Sequence, residues 1–346
     1  MSAKKDLLVT FPVDLGNKSY ESNFMSIFAD DLDFYRFPEK ETKPASDKLS
    51  LAKVILARVQ AAFALRKVVK AYTKEGRKVI FHGISPALFS YGSWKPQQTA
   101  IVLDWTRNLY PSIQGNPLKK GLGYSLHRKI LKAVPKLLCM TDAIKDNLGQ
   151  LYGVKKEALI RVPAPLLVEK LNIPPRPTPP KPKVLFVGGD LKRKGADVLL
   201  QGFNKELREK CTLTMMTNDR AADVAGVNFL PGLTYGSPAH KKAFEDHDIF
   251  ILPTRMDSYP VAIAQAAAAG LAVITTKFAL GAKEVIINGT TGYIAETPEE
   301  CIAKLDTLLN TPALIDEFKN KGYEYVHQKF GKENIRENYL KVLGIN

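Results

Sequence analysis

The chain has 346 residues, 45% of them apolar and 25% charged, with a formal net charge of +15. That length suits two domains of ordinary size, and the balance is that of a chain able to bury real cores. No stretch of about 20 residues stays apolar without Gly, Pro or charge, so no membrane span is predicted, and no signal peptide is expected at the N-terminus. Three scattered cysteines, Cys139, Cys211 and Cys301, suggest neither a disulfide framework nor a metal site, which fits a cytoplasmic protein.

The excess charge is uneven. Residues 1–172 carry 28 Lys and Arg against 15 Asp and Glu, whereas residues 173–346 carry 22 against 20. The densest segment is 47–78, and a second is "KKGLGYSLHRKILKAVPK", 119–136. Such a face attracts phosphates or an anionic membrane surface; as a bland alternative it is a solvated face. Charge alone also raises nucleic acid, but no recognition motif supports that, so no nucleic-acid partner is expected.

In chain order, the first half offers the short apolar strands "DLLVTFP", "KVIFHG", "TAIVLDW" and "KLLCMT". Between the first two lies "KLSLAKVILARVQAAFALRKVVKAYTKEG", a helix by its 3–4 spacing, stopped by Gly76. Then comes "LNIPPRPTPPKPK", with six prolines between Pro174 and Pro182, expected to be an extended connector. The second half continues with strands "KVLFVGG", "CTLTMMT", "VNFLPG", "DIFILPT" and "LAVITT". Helices "ADVLLQGFNKELREK", "AHKKAFEDH", "PVAIAQAAAAG" and "PEECIAKLDTLLN" alternate with them. The rhythm predicts two doubly wound parallel α/β sheets with ligands beyond the strands' carboxyl ends. Neither G-x-G-x-x-G nor a Walker loop is present, so dinucleotide dehydrogenases and P-loop enzymes lack support. The expected division is 1–172, a connector at 173–182, and 183–328, with 329–346 returning to the first domain.

Two stretches carry chemistry. In "FVGGDLKRKGADVLLQGF" a strand ends in Gly188 and Gly189, and Lys192, Arg193 and Lys194 lead through Gly195 into a helix. Glycines permit close backbone approach, a helix start offers free N–H groups, and the cations stand beside it. That is a phosphate site or, more plainly, an exposed basic turn. In "PTRMDSYPVAIAQAAAAGLAVITT" the loop Arg255–Tyr259 follows a buried strand, and Pro260 suits the first helical position. Gln265, eight residues after Asp257, then falls little more than one turn into the helix. The carboxylate and the amide flank one ligand, or else Asp257 caps the helix and Gln265 bonds a neighbour.

Together with "LLCMTDAIKDNLGQLYGVKKEALIRVPAP" and "GAKEVIINGTTGYIAE", these stretches resemble the GT-B glycosyltransferases, within them the retaining family 4, over roughly residues 130–300. The resemblance implies two Rossmann-like domains facing a cleft, a nucleoside-diphosphate sugar as donor, and no metal or other cofactor. Arg193 and Lys194 would neutralise the diphosphate, and Asp257 would contact sugar hydroxyls. The backbone of Ser258, Tyr259 and Val261 would lie near phosphate and sugar, as would Gly188 and Gly189. Gln265 stands where the family has a glutamate on the ribose, a departure expected to cost roughly 1–2 kcal/mol of grip, since an amide must accept from one hydroxyl and donate to the other. Glu284 is expected to be structural. In the first half, Gly16 stands where relatives often have a glycine pair. Asp104 ends a strand where they often have a histidine, while His82 is a site residue or a structural histidine. Trp105 and Arg107 would line an acceptor groove or pack under a loop. The acceptor would be a glycan, a lipid-linked species or a small molecule, with peripheral contact to an anionic membrane through the two basic segments. The alternative is a non-catalytic sugar-nucleotide or glycan-binding module, which Gln265 favours; a sugar-nucleotide epimerase would share the architecture but not the ordered motifs.

Overall fold

The computed structural model describes residues 4–10, 15–37, 48–118, 120–219, 224–233 and 237–345. Asp47 and Lys119, which open the two basic segments, lie outside them. The contacts divide the chain into two units, 1–165 with 335–346, and 166–334.

Unit 1 holds β1 (Asp6–Thr10), α1 (Leu15–Phe28), β2 (Leu32–Arg36), α2 (Lys48–Lys74), β3 (Val79–His82), α3 (Ile84–Phe89) and β4 (Thr99–Leu103). It continues with α4 (Leu109–Ile113), α5 (Leu122–Ala133), β5 (Lys136–Cys139), α6 (Asp142–Tyr152) and β6 (Leu159–Arg161). The six strands pair in parallel in the order β2-β1-β3-β4-β5-β6. The order reverses between β1 and β3, the crevice where such sheets bind ligands. The central strands are buried along their whole length, as short unbroken apolar runs must be when helices cover both faces.

Among the elements of unit 1 not foreseen from sequence, two show why. β2, "LDFYR", is an edge strand whose polar Asp33 and Arg36 mask it. α1 looks polar in sequence, yet Tyr20, Phe24, Ile27 and Phe28 form one buried stripe.

Unit 2 holds β7 (Lys183–Val187), α7 (Ala196–Gly202), α8 (Lys205–Lys210), β8 (Thr212–Met216), β9 (Val227–Leu230), α9 (Pro238–Glu245), β10 (Ile249–Leu252) and α10 (Val261–Ala268). It ends with β11 (Ala272–Thr276), α11 (Ala282–Val285), β12 (Gly292–Ala295), α12 (Glu300–Leu309) and α13 (Pro312–Lys329). Its six parallel strands run β12-β11-β10-β7-β8-β9, with the reversal between β7 and β10. The single helix expected over "ADVLLQGFNKELREK" is broken into α7 and α8. Gly202 lies so close to Ile302 of α12 that a Cβ would stand 2.8 Å from it. Asn204 then caps the second piece by accepting from Leu207 N–H at 3.0 Å.

The proline-rich stretch lies within unit 2, strapped to it rather than spanning between units. Pro175 rests on Gly270, whose added Cβ would meet it at 2.9 Å. Thr178 donates from N–H and Oγ1 to Asp316 at 2.9 and 2.6 Å. Buried Asp248 accepts from Lys183 N–H at 2.9 Å and from the buried Lys319 ammonium at 3.3 Å. Prolines lack donors, so the residues between them make these bonds. The last helix, α14 (Lys332–Leu343), enters unit 1 from Ile335 onward, where Tyr339 packs edge-on against Phe24 and Arg336 donates to Asp31 at 2.7 Å. Among the described residues no helix is long and apolar enough to cross a membrane.

Candidate functional site

The reversal of strand order in unit 2 puts the loop after β7 and the loop after β10 side by side. Two stretches about sixty residues apart in sequence therefore meet at one sheet edge. Gly195 is the pivot: its φ is 76°, and an added Cβ would sit 1.8 Å from the Pro253 carbonyl oxygen. Only glycine fits such a contact, which explains the Lys-Gly end of the basic loop.

Around that contact the loops are stitched by hydrogen bonds. Arg255 N–H donates to the Arg193 carbonyl at 2.8 Å, and Thr254 Oγ1 donates to the same oxygen at 3.2 Å. Arg193 donates from Nη1 to the Met256 carbonyl at 2.9 Å and from Nε to Asp190 at 2.9 Å. Asp190 takes a left-handed φ of 53°, turning the chain so that its carboxylate meets that guanidinium. The Lys194 ammonium pairs with the Asp257 carboxylate, both largely buried. Asp257 is itself fixed by backbone, donating N–H to the Phe278 carbonyl at 3.0 Å while its carbonyl accepts from Leu280 N–H at 2.9 Å. Arg193, Lys194 and Asp257 thus converge as two cations and one carboxylate.

Three amides that lead into the helix are already taken within the turn. Lys194 N–H bonds the Asp190 carbonyl at 3.0 Å, Gly195 N–H that of Lys192 at 3.2 Å, and Ala196 N–H that of Leu191 at 2.8 Å. These three amides close the basic turn on itself. Gly189 borders open space and Gly188 packs against the Lys194 stem, 3.1 Å from an added Cβ.

One ion pair beside these residues is not foreseen from sequence. Arg255 grips Asp197 in a two-pronged bond, Nη1 to Oδ1 at 2.7 Å and Nη2 to Oδ2 at 2.9 Å, and its Nη1 also bonds the Lys192 carbonyl. The Arg255 guanidinium holds the Asp197 carboxyl below the usual carboxylate range, and Asp197 raises Arg255 in return. The signal was Arg255 itself, an arginine in a loop that otherwise closes an apolar strand.

Pro260 caps α10 rather than opening it, with φ −73° and ψ 99°, and Val261 is the first helical residue. The extended ψ keeps the proline outside the helix. Ser258 and Tyr259 lie between Asp257 and that cap, the Tyr259 ring filling space that a Cβ on Gly281 would enter at 2.5 Å. Gln265 is one turn into α10, as the spacing predicts, and borders a small crevice with Val261, Ala264 and the segment 166–171. Glu284 pairs with Lys329 at 3.2 Å, a bond within the scaffold.

In unit 1 His82 and Asp104 stand at the carboxyl ends of the neighbouring strands β3 and β4. Gly16 lies in the first turn of α1. His82 is buried at the end of β3, edge-on to Tyr20 and Phe24 with ring centres 5.8 and 5.3 Å away, and burial pushes its pKa down to about 4. Asp104 follows β4 directly, while Trp105 and Arg107 beyond it are exposed. The Arg107 guanidinium lies over Gly123, where a Cβ would come within 2.3 Å. No cluster of three or more His, Cys, Asp or Glu placed to hold a metal occurs among the described residues.

Residues 181–311, which contain the whole unit 2 constellation, match the sequence model of the family described as Glycosyl transferases group 1. A curated relative, an uncharacterized glycosyltransferase of Haemophilus influenzae, is 27% identical over 127 residues, 36% of this chain and 35% of that protein. The match thus spans about a third of the relative's length. Among solved structures, sucrose-phosphate synthase of Thermosynechococcus elongatus superposes with a TM-score of 0.73 at 13% identity, covering 98% of both chains. HepE of Anabaena, in complex with UDP, gives 0.72 at 12% identity, covering 99% of this chain and all of that one. The two parallel six-stranded sheets are those of the GT-B fold.

Proposed function

We propose that the chain is a retaining glycosyltransferase of family 4 that transfers a sugar from a nucleoside diphosphate to a glycan, lipid-linked or small-molecule acceptor in the cytoplasm, without a metal. The observation that carries this reading is the Arg193, Lys194 and Asp257 group at the switch point of unit 2, inside the stretch that matches the family model. A sugar nucleotide has also been seen bound to a similarly folded protein, HepE, in its complex with UDP-glucose.

In the reaction, the bond between the anomeric carbon and the diphosphate oxygen breaks, and the diphosphate departs with the bonding pair. The acceptor oxygen bonds to the same face of that carbon, and its proton passes to the departing phosphate oxygen. Charge therefore grows on the diphosphate as the bond breaks. Arg193 and Lys194, already held by Asp190, Met256 and Asp257, meet that charge without having to be ordered first. The Lys194 ammonium has three donors, so it can keep Asp257 while gaining phosphate oxygens. Asp257 has a second oxygen for a sugar hydroxyl. On unit 1 we take Asp104 as the further catalytic candidate and the exposed Trp105 and Arg107 as acceptor contacts.

The test is a thermal shift of the purified chain against UDP-, GDP- and ADP-sugars and the free diphosphates, alongside Arg193→Ala/Lys194→Ala. A shift with one nucleotide, abolished in the double variant, is expected; a well-folded protein that shifts with none sinks the reading. Gln265→Glu is expected to tighten the donor about tenfold, since a carboxylate accepts from both ribose hydroxyls. Turnover of a sugar nucleotide by the unaltered chain separates an enzyme from a binding module.

A further inference from the structure

From Leu56 onward α2 carries two apolar stripes, one buried and one exposed. Leu65 and Val69 are fully buried and anchor the helix to unit 1. Leu56, Val59 and Phe63 recur at helical spacing on another stripe, and all three are exposed, Phe63 to 64%. Phe63 and Leu65 are about 200° apart around the axis, so the exposed stripe looks away from the core. The apolar pattern of this segment therefore serves more than packing.

The stripe continues onto neighbouring elements. Arg66, one turn after Phe63, donates to the Tyr91 carbonyl at 2.9 Å, and the Lys129 ammonium of α5 lies 5.4 Å from the Tyr91 ring centre. On α5, Leu122 and Leu126 share a stripe with Lys129, and Leu122 is 79% exposed. Arg66, Tyr91 and Lys129 thus tie together α2 and α5, each of which carries exposed apolar groups with cations on the same helix. From Leu56 to Lys74 there are five Lys and Arg and no Asp or Glu, and from Lys119 to Lys136 there are six and none.

We infer that this face of unit 1 docks on an anionic phospholipid bilayer, Leu56, Val59, Phe63, Leu122 and Leu126 entering the headgroup boundary while the lysines and arginines meet lipid phosphates. The charge pattern selects the occupant. A face that is cationic throughout repels a second copy of itself, whereas a bilayer offers both apolar depth and negative charge. Attachment is from the surface, since no described helix is apolar enough to span. Where it bears on the proposed transferase, and resting on that reading, the face narrows the acceptor to one held at a membrane.

The test is flotation of the full chain with vesicles of phosphatidylcholine alone and of phosphatidylcholine mixed with phosphatidylglycerol, with no donor added, so it succeeds or fails independently of sugar transfer. Binding only to the anionic vesicles is expected, weakening as salt is raised. Val59→Glu/Phe63→Glu on α2 and Leu122→Glu/Leu126→Glu on α5 should each weaken it about tenfold or more with melting temperature unchanged. The two pairs lie on different helices, so one remains informative if the other unfolds. No binding to anionic vesicles overturns the inference, as does equal binding to neutral ones, or binding indifferent to both double variants. Sedimentation showing a dimer that Phe63→Glu disperses would assign the face to a second copy instead.

Discussion

The two units share a parallel six-stranded sheet but dress its edges in opposite ways. In unit 2 the loops at the switch point are locked by backbone contact and by charge pairs, Gly195 on Pro253, Lys194 on Asp257, Arg255 on Asp197. In unit 1 the corresponding strand ends carry a buried neutral histidine and exposed Trp105 and Arg107, and the conspicuous chemistry is on an outer helical face. A site that must hold a fixed charge pattern constrains backbone and side chain together. A surface that meets a fluid partner needs only composition.

The sharpest way to break this contrast is to remove a cation from each unit. Lys194→Ala is expected to lower turnover by about 10²–10³-fold, as loss of a preorganised group aimed at developing charge does. Arg107→Ala should leave donor binding unchanged, and a thermal shift with the donor nucleotide checks it. If the two variants lose donor affinity equally, the assignment of the donor to unit 2 is wrong.

Next come the glycines. Gly195→Ala forces a Cβ into the Pro253 carbonyl at a left-handed φ and should cost about 3 kcal/mol or more in denaturant unfolding. Gly189→Ala, with no atom within 4 Å of its added Cβ, should stay within about 0.5 kcal/mol. Equal costs would mean the loop is not seated on β10.

Unit 1 has its own signature in acid. The folded chain holds His82 neutral down to about pH 4, whereas the unfolded chain protonates it near 6.5. Between those values the unfolded state binds more protons, so stability falls as pH falls, by up to about 3 kcal/mol across the window. His240 and His247 of unit 2 are shifted in the same direction by burial, so His82→Phe should flatten the slope only in part. An unchanged slope in urea titrations at several pH values would remove His82 from the account.

The smallest effect expected is at the clamp. Asp197→Asn loses an ion pair that is more than one third open to water, so its stability cost should be only about 0.5–1 kcal/mol. Its donor affinity should fall more than its stability, because the carbonyls that Arg255 orders belong to the basic loop. Equal proportional loss of both would make Asp197 a plain structural residue.

Much of unit 2 could be read from sequence because each of its strands is one short apolar run followed directly by a loop of distinctive residues. Unit 1 was harder. β2 is masked by Asp33 and Arg36, α1 hides one buried stripe among polar residues, and the meaning of α2 depends on which of two apolar stripes is covered. The break between α7 and α8 rests on the Asn204 cap, which stands inside a stretch whose spacing reads as one helix.

By itself the sequence determined the α/β class, the strand–loop–helix units and the placement of Arg193, Lys194, Asp257 and Gln265 on loops or first turns. These follow from periodicity and turn chemistry, which act over a few residues. Only the tertiary structure decided that Lys194 meets Asp257 across 63 positions and Arg255 meets Asp197 across 58, and that the turn spends its amides on itself. Those contacts depend on strand order, and strand order is set by the packing of the whole sheet rather than by any local run of residues.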